Sequence, residues 1–286
     1  MFQSVPNNIG LQNDFYGEPG QGSLDDGITN IEKDQSARLD KFRSSLEDYQ
    51  VLSDKIPELV ISLSVRSRWL REEFAQKINS MVSELSANLP NHMPKLIQDQ
   101  PQIKMLKRRG ISQKVLDDAL QDFLPKMQSL ISAEQKKIRR YAQAAHNNAL
   151  GKALIPEARV MNCNLLHWTI LVRPPGTFIL SDVGPIFKTA INRYKALPDK
   201  GDPILAVALP FSHTHLLIGT REDSEFPTID ELNSASAKCS YEFFVSSCKS
   251  DEVQKLSTVI GDWSSMVSEQ ELKSIAEECF STLQLD

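Results

Sequence analysis

The chain changes texture at Pro156. Before it, apolar residues recur at three, four and seven positions, the period of amphipathic helices. Beyond it they come as short runs (NLLHWTILV, TFILS, PILAVAL, HLLIGT, YEFFVSS) rich in β-branched and aromatic residues, most of them separated by proline or glycine. Helices gathered first and strands gathered after do not fit an alternating, doubly wound α/β fold. The sequence predicts an α+β fold: a helical N-terminal half packed on a small mixed β-sheet, with a C-terminal helical extension. The expected segments are an irregular arm over 1–25, a helical region over 26–155, a β-rich region over 156–250 and the extension over 251–286, together one compact domain.

Within the helical region, one helical stripe is expected from Ile28 through Phe42 and Leu46 to Leu52. A second helix is expected from Pro57 to about Leu89, with Pro57 in its first turn and Pro90 as its stop. Ser112 caps a long third helix that Pro125 breaks or kinks and Gly151 closes. In the second half, IDELNSASAKC reads as a helix between the last two strands. DEVQKLSTVIGDW and SEQELKSIAEECFSTLQL read as two more, and Ser268 with Glu271 has the spacing of a capping box.

No run of about eighteen apolar residues is present, so no membrane partner is expected. The first residues have neither a basic start nor an apolar stretch, so no secretory signal is expected and a cytoplasmic location is. The four cysteines make no C-x-x-C pair and read as free thiols. Phosphate-loop, dinucleotide and nucleophile-elbow motifs are missing, and no cofactor is expected.

Charge is distributed unevenly. Residues 1–60 carry net −6, residues 101–160 net +7 and residues 221–286 net −9. The basic middle concentrates in two clusters, Lys104, Lys107, Arg108 and Arg109, then Lys136, Lys137, Arg139 and Arg140. Such clusters attract phosphates, so these eight residues are the candidate polyanion-binding set and nucleic acid a candidate partner. Only Tyr141 stands among them, which argues against base stacking. A solvated helix face is the alternative.

Asp182 is the leading catalytic candidate, with Ser181 beside it. It stands where the apolar run TFIL ends in Ser181-Asp182-Val-Gly-Pro. A carboxylate at the end of a strand can be a general base, a metal ligand or an arginine's partner, and it can equally fix a turn by accepting backbone amides. His213 and His215 are the metal candidates. Two residues apart on a strand they share a face, and Asp182 or Cys163 would supply a third ligand.

Four stretches carry a family resemblance: ISLSVRSRWLR with Arg66-Ser67; HWTILVRPPGTFILSDVGP with Trp168, Ser181 and Asp182; ALPFSHTHLLIG with Pro210 and Ser212; and ELNSASAKCSYEFFVSS with Asn233. In their order and spacing the chain resembles the bacterial family called domain of unknown function 4238. The resemblance implies a helical half joined to a small sheet, and it suggests Asp182 as the carboxylate that a buried Arg66 would need. Arg66 joins the catalytic candidates on that ground. The chain departs from the family in lacking a His-Tyr-Val-Pro-type opening, in having Arg68 where a proline follows Ser67, and in inserting Gly184 before Pro185. The family resemblance names no reaction.

These features favour an intracellular bacterial binding or accessory protein that recognises a protein or polyanionic partner, with a role in host–phage conflict as one setting. The rival reading is a metal-dependent hydrolase or nuclease built on Asp182, His213 and His215.

Overall fold

A computed structural model describes residues 24–270 apart from 99, 153–154, 191–192, 200, 223–225 and 267. The expected N-terminal arm up to residue 23, the body of the last helix and the Ser268–Glu271 capping box lie outside the described residues. The elements are α1 (Leu24–Arg43), β1 (Tyr49–Val51), α2 (Lys55–Val65), α3 (Arg68–Gln98), α4 (Pro101–Arg108), α5 (Gln113–Gln135), α6 (Ile138–Lys152) and α7 (Glu157–Cys163). There follow β2 (His167–Val172), β3 (Leu180–Ser181), β4 (Ile186–Thr189), β5 (Tyr194–Lys195), β6 (Ile204–Pro210), β7 (His215–Thr220), α8 (Ile229–Cys239), β8 (Phe244–Val245) and α9 (Asp251–Leu256). This is the α+β fold with a helical N-terminal half. By contacts the chain divides into two units, residues 1–70 with 147–286, and residues 71–146.

The first unit is built on a six-stranded sheet in the order β1-β2-β7-β6-β4-β5. Every pairing is antiparallel, not mixed as the sequence reading had it. The short connection from β6 to β7 is a hairpin, which can join only antiparallel neighbours. The runs PILAVAL and HLLIGT form its central pair and are buried along nearly their whole length, which accounts for their unbroken apolar character. Trp168 lies opposite Gly219 across the β2–β7 ladder. A Cβ at Gly219 would fall 2.7 Å from the indole ring, so a glycine is what lets the tryptophan lie flat across its neighbour. TFILS and YEFFVSS do not join this sheet; they pair with each other as β3–β8.

Several expected boundaries move, each for a local reason. The first helix ends at Arg43, where the Ser44 hydroxyl turns back onto the Lys41 carbonyl and the Ser45 hydroxyl reaches forward to that of Glu47. Leu46 and Leu52 are therefore exposed, and Tyr49–Val51 becomes an edge strand. The expected 57–89 helix is two, split at Arg66-Ser67, where the Ser67 hydroxyl accepts the Trp69 amide. Pro90 does not stop α3. Its missing N–H would have served the Ser86 carbonyl, which instead accepts the Gln128 side-chain amide. Pro125 sits inside a continuous α5, on its exposed side, and the break comes at Lys136-Lys137 instead. Gly151 lies inside α6 rather than closing it.

The second unit, residues 71–146, is all helical. Among the described residues its buried hydrophobics are only Ala75, Ile138 and Ala142, packed with Phe74, Ile78 and Val82. Gln128 and Gln135 reach from α5 to Ser86, Asn79 and Ser83 on α3. No residue of α4 or α5 is fully buried.

Candidate functional site

Asp182 follows β3 directly. One carboxylate oxygen accepts the Tyr241 amide at 2.8 Å; the other accepts those of Glu242 at 2.8 Å and Phe243 at 3.1 Å. Three successive backbone donors on one carboxylate form a closed anchor for the α8–β8 connection. Burial pushes the Asp182 carboxyl above its ordinary value, against the three amides that pull it down. Ser181 accepts the Ser240 hydroxyl at 3.0 Å and the Val183 amide. Gly184, at φ +81°, completes the turn with its amide on the Ser181 carbonyl. Asn233 accepts the Ile179 amide and donates to the Thr177 carbonyl, as a neighbouring strand would. The geometry commits Ser181, Asp182 and Asn233 to joining TFILSD to α8 and the loop after it.

Arg66 does not pair with Asp182. It turns to α1, donating to Gln35 Oε1 at 2.6 Å, Glu32 Oε1 at 3.1 Å and Ser62 Oγ at 3.1 Å, with Nε on the Ser62 carbonyl. Its side chain is buried while Glu32 is largely exposed, so the network holds α1 to α2 around a charge that keeps one edge near water. The expected link between this segment and the Asp182 turn exists in another form. Trp69, three residues on, stacks on Tyr241 with centroids 4.7 Å apart, and Tyr241 is the residue whose amide binds Asp182. The Arg68 guanidinium lies 4.3 Å from the Trp69 ring. Sequence reading missed the aromatic pair because Tyr241 is far away in the chain; the signal at hand was a tryptophan beside Arg66-Ser67.

The proposed metal set is not assembled. β7 begins at His215, so His213 sits in the preceding turn and the two imidazoles do not share a strand face. His215 Nε2 lies 3.0 Å from the Ser45 carbonyl, which can only accept, so Nε2 carries the proton. Nδ1 then accepts from the Thr214 hydroxyl at 2.7 Å or that of Ser212 at 3.1 Å. Ser212 also accepts the amides of Thr214 and His215, and is occupied as a turn former. Cys163, the other suggested ligand, is fully buried, and burial pushes its thiol up to about 12. Burial does the same to Cys239. Among the described residues no group of three or more His, Cys, Asp or Glu side chains is placed to hold a metal ion.

A cleft of about 280 Å³ lies between α1 and α2, lined by Ile31, Asp34, Gln35, Arg38, Lys55 and Glu58 among others. Its charges are matched already, Arg38 with Asp34 at 3.2 Å and Lys55 with Glu58 at 3.1 Å, and it is small for a ligand site.

The basic clusters present differently. All eight candidate cations are exposed: Lys104, Lys107, Arg108 and Arg109 at the end of α4, and Lys136, Lys137, Arg139 and Arg140 around the α5–α6 turn. Both clusters belong to the unit 71–146, whose thirteen Lys/Arg against eight Asp/Glu give it net +5; the rest of the chain is net −10. Lys137 pairs with Glu134 and Arg139 with Glu72, but exposed pairs like these are weak and yield to a competing polyanion. Among the described residues, no helix is long and apolar enough to cross a membrane. No family model, curated protein or solved structure matches the chain.

Proposed function

We propose that the chain is an intracellular bacterial binding protein, related to the family it resembles, that recognises a polyanionic partner through the unit 71–146. The observation that carries this reading is the exposure of all eight clustered cations on a unit of net +5. The candidate catalytic groups support it by contrast. Asp182, Ser181 and Arg66 each spend their polar atoms on neighbouring chain and are at most half-exposed, whereas the clustered cations are exposed.

Heparin or duplex DNA titrated with the full chain across a salt series tests it. Binding should weaken steeply with salt, with a log–log slope of magnitude up to about 7 if all eight cations reach phosphates, at roughly 0.9 per contact. Replacing the four cations of either cluster by glutamine should lower that slope by about 3–4. No binding at low salt, or a slope that neither replacement moves, overturns the reading.

A further inference from the structure

The helix α5 has two apolar stripes and only one of them is packed. At about 100° per residue, Leu116, Leu120, Leu124, Met127, Ile131 and Gln135 share one face, and these, with Gln128 beside them, are its half-buried positions. A second stripe lies beside it: Val115, Ala119, Phe123, Leu130 and Ala133 fall within about 80° of arc. Val115 is 55% exposed, Phe123 44% and Leu130 64%. From Ala119 the exposed positions step 119, 123, 126, 130, 133, the four-three alternation of a helix-pairing seam, with Lys126 as its polar member. The unit that carries this helix buries only three hydrophobic residues of its own among those described. It has apolar surface to cover and little core to cover it with.

The charges along the stripe decide what covers it. Asp118 and Asp122 border it, and Lys126 lies in it; none of the three has an ion pair or side-chain hydrogen bond among the described residues. Two acidic residues on the border are the wrong charge for an anionic lipid surface. They suit a second copy of the same helix running the opposite way. An antiparallel pairing centred on position 124 sets Asp122 against Lys126 of the second copy, and by the two-fold symmetry Lys126 against its Asp122. The same register sets Leu130 against the Asp118–Ala119 step and Val115 against Ala133, large against small. A parallel pairing would instead set Lys126 against Lys126.

We infer that this chain self-associates as a two-fold dimer through the exposed stripe of α5, with reciprocal Asp122–Lys126 pairs fixing antiparallel register. The inference does not depend on polyanion binding, and its sedimentation test contains no polyanion.

Sedimentation equilibrium of the full chain tests it, over a concentration series and under reducing conditions because Cys248 is exposed. A concentration-dependent dimer is expected. Phe123→Glu should leave a monomer with an unchanged circular dichroism spectrum. Asp122→Lys alone and Lys126→Asp alone should each weaken the dimer at least about tenfold by setting like charges together, and the two combined should restore it. The charge series keeps the test informative should Phe123→Glu disturb the fold. A monomer at every concentration, a dimer indifferent to Phe123→Glu, or a double charge variant as weak as the single ones overturns the inference. So does a monomer that binds phosphatidylserine vesicles through Phe123, which would assign the stripe to a membrane surface.

Discussion

The two units build the same three-residue cluster in different surroundings. In the sheet unit, Lys188 and Tyr194 both donate to Glu231, at 2.9 and 3.0 Å, joining β4 and β5 to α8. In the helical unit, Lys137 and Tyr141 both donate to Glu134, at 2.7 and 2.8 Å, within one turn-and-helix surface. The shorter bonds belong to the more exposed cluster. Tyr194 is almost wholly buried and the three residues of its cluster come from separate elements, so the bonds constrain the fold; Tyr141 is half exposed and its partners are seven residues away at most. The same holds at the scale of the units. One buries a sheet core and ties Asp182, Asn233 and Glu231 to neighbouring chain; the other exposes its clustered cations and an apolar stripe. Side chains fixed by burial are poor places to look for a partner, and exposed side chains held only by weak surface pairs are better ones.

The largest effect that would sharpen this contrast is in the sheet core. Trp168→Ala should lower the unfolding free energy by about 3–5 kcal/mol, the cost of emptying a buried aromatic site. Phe123→Ala on α5 should change it by less than about 0.5 kcal/mol in dilute solution. Urea unfolding of both variants checks this, and similar losses would erase the distinction between the units.

The Asp182 anchor comes next. Asp182→Ala leaves the amides of Tyr241, Glu242 and Phe243 without their acceptor and should cost about 2–3 kcal/mol, the scale of hydrogen bonds to a charged group. Asp182→Asn keeps one acceptor oxygen and should recover part of the loss. An unchanged urea midpoint for Asp182→Ala would show that the turn holds without its carboxylate. Gly219→Ala, which drives a methyl into the Trp168 ring, should cost about 1–3 kcal/mol. Its cost should shrink when Trp168 is already leucine, and a purely additive double variant would place the clash elsewhere.

How much of this was legible in the sequence depended on the range of the interaction. The helical half, the strands PILAVAL and HLLIGT, and the 229–239 helix were legible because periodicity and capping are local. The strand at Tyr49–Val51 was not. Three residues after a helical stripe carry no period of their own, and only β2 gives them a partner. Proline was overread as a stop at Pro90 because the rescue of the Ser86 carbonyl comes from Gln128, on another helix. Asp182 was legible as a position of consequence, but not its partners, since backbone amides have no signature in sequence. Arg66 is buried, but its partner is not the expected Asp182. Its partners Glu32 and Gln35 are three apart on α1, a spacing visible in the sequence but shared by many surface pairs.

The smallest expected effect returns to the paired clusters. Burial raises the Glu231 carboxyl, but the Lys188 ammonium and Tyr194 hydroxyl outweigh it, and the net result is a carboxyl held below its usual value. A carboxylate lowered in the folded state stabilises the fold above its unfolded value of about 4.3, and that contribution is lost as pH falls through the lower folded value. Glu231→Gln should therefore melt below the parent chain at neutral pH, and the gap should close on acidification, where the protonated glutamate resembles the amide. Glu134 is also held low, first by Lys137 and then by Tyr141, yet it is exposed and its partners are free to exchange with water. Glu134→Gln should leave the melting temperature unchanged at every pH at ordinary ionic strength, because salt screens the exposed pair. Thermal melts of both variants across a pH series decide the matter. A gap for Glu134→Gln as large as that for Glu231→Gln would mean that hydrogen-bond length, rather than surroundings, ranks these clusters.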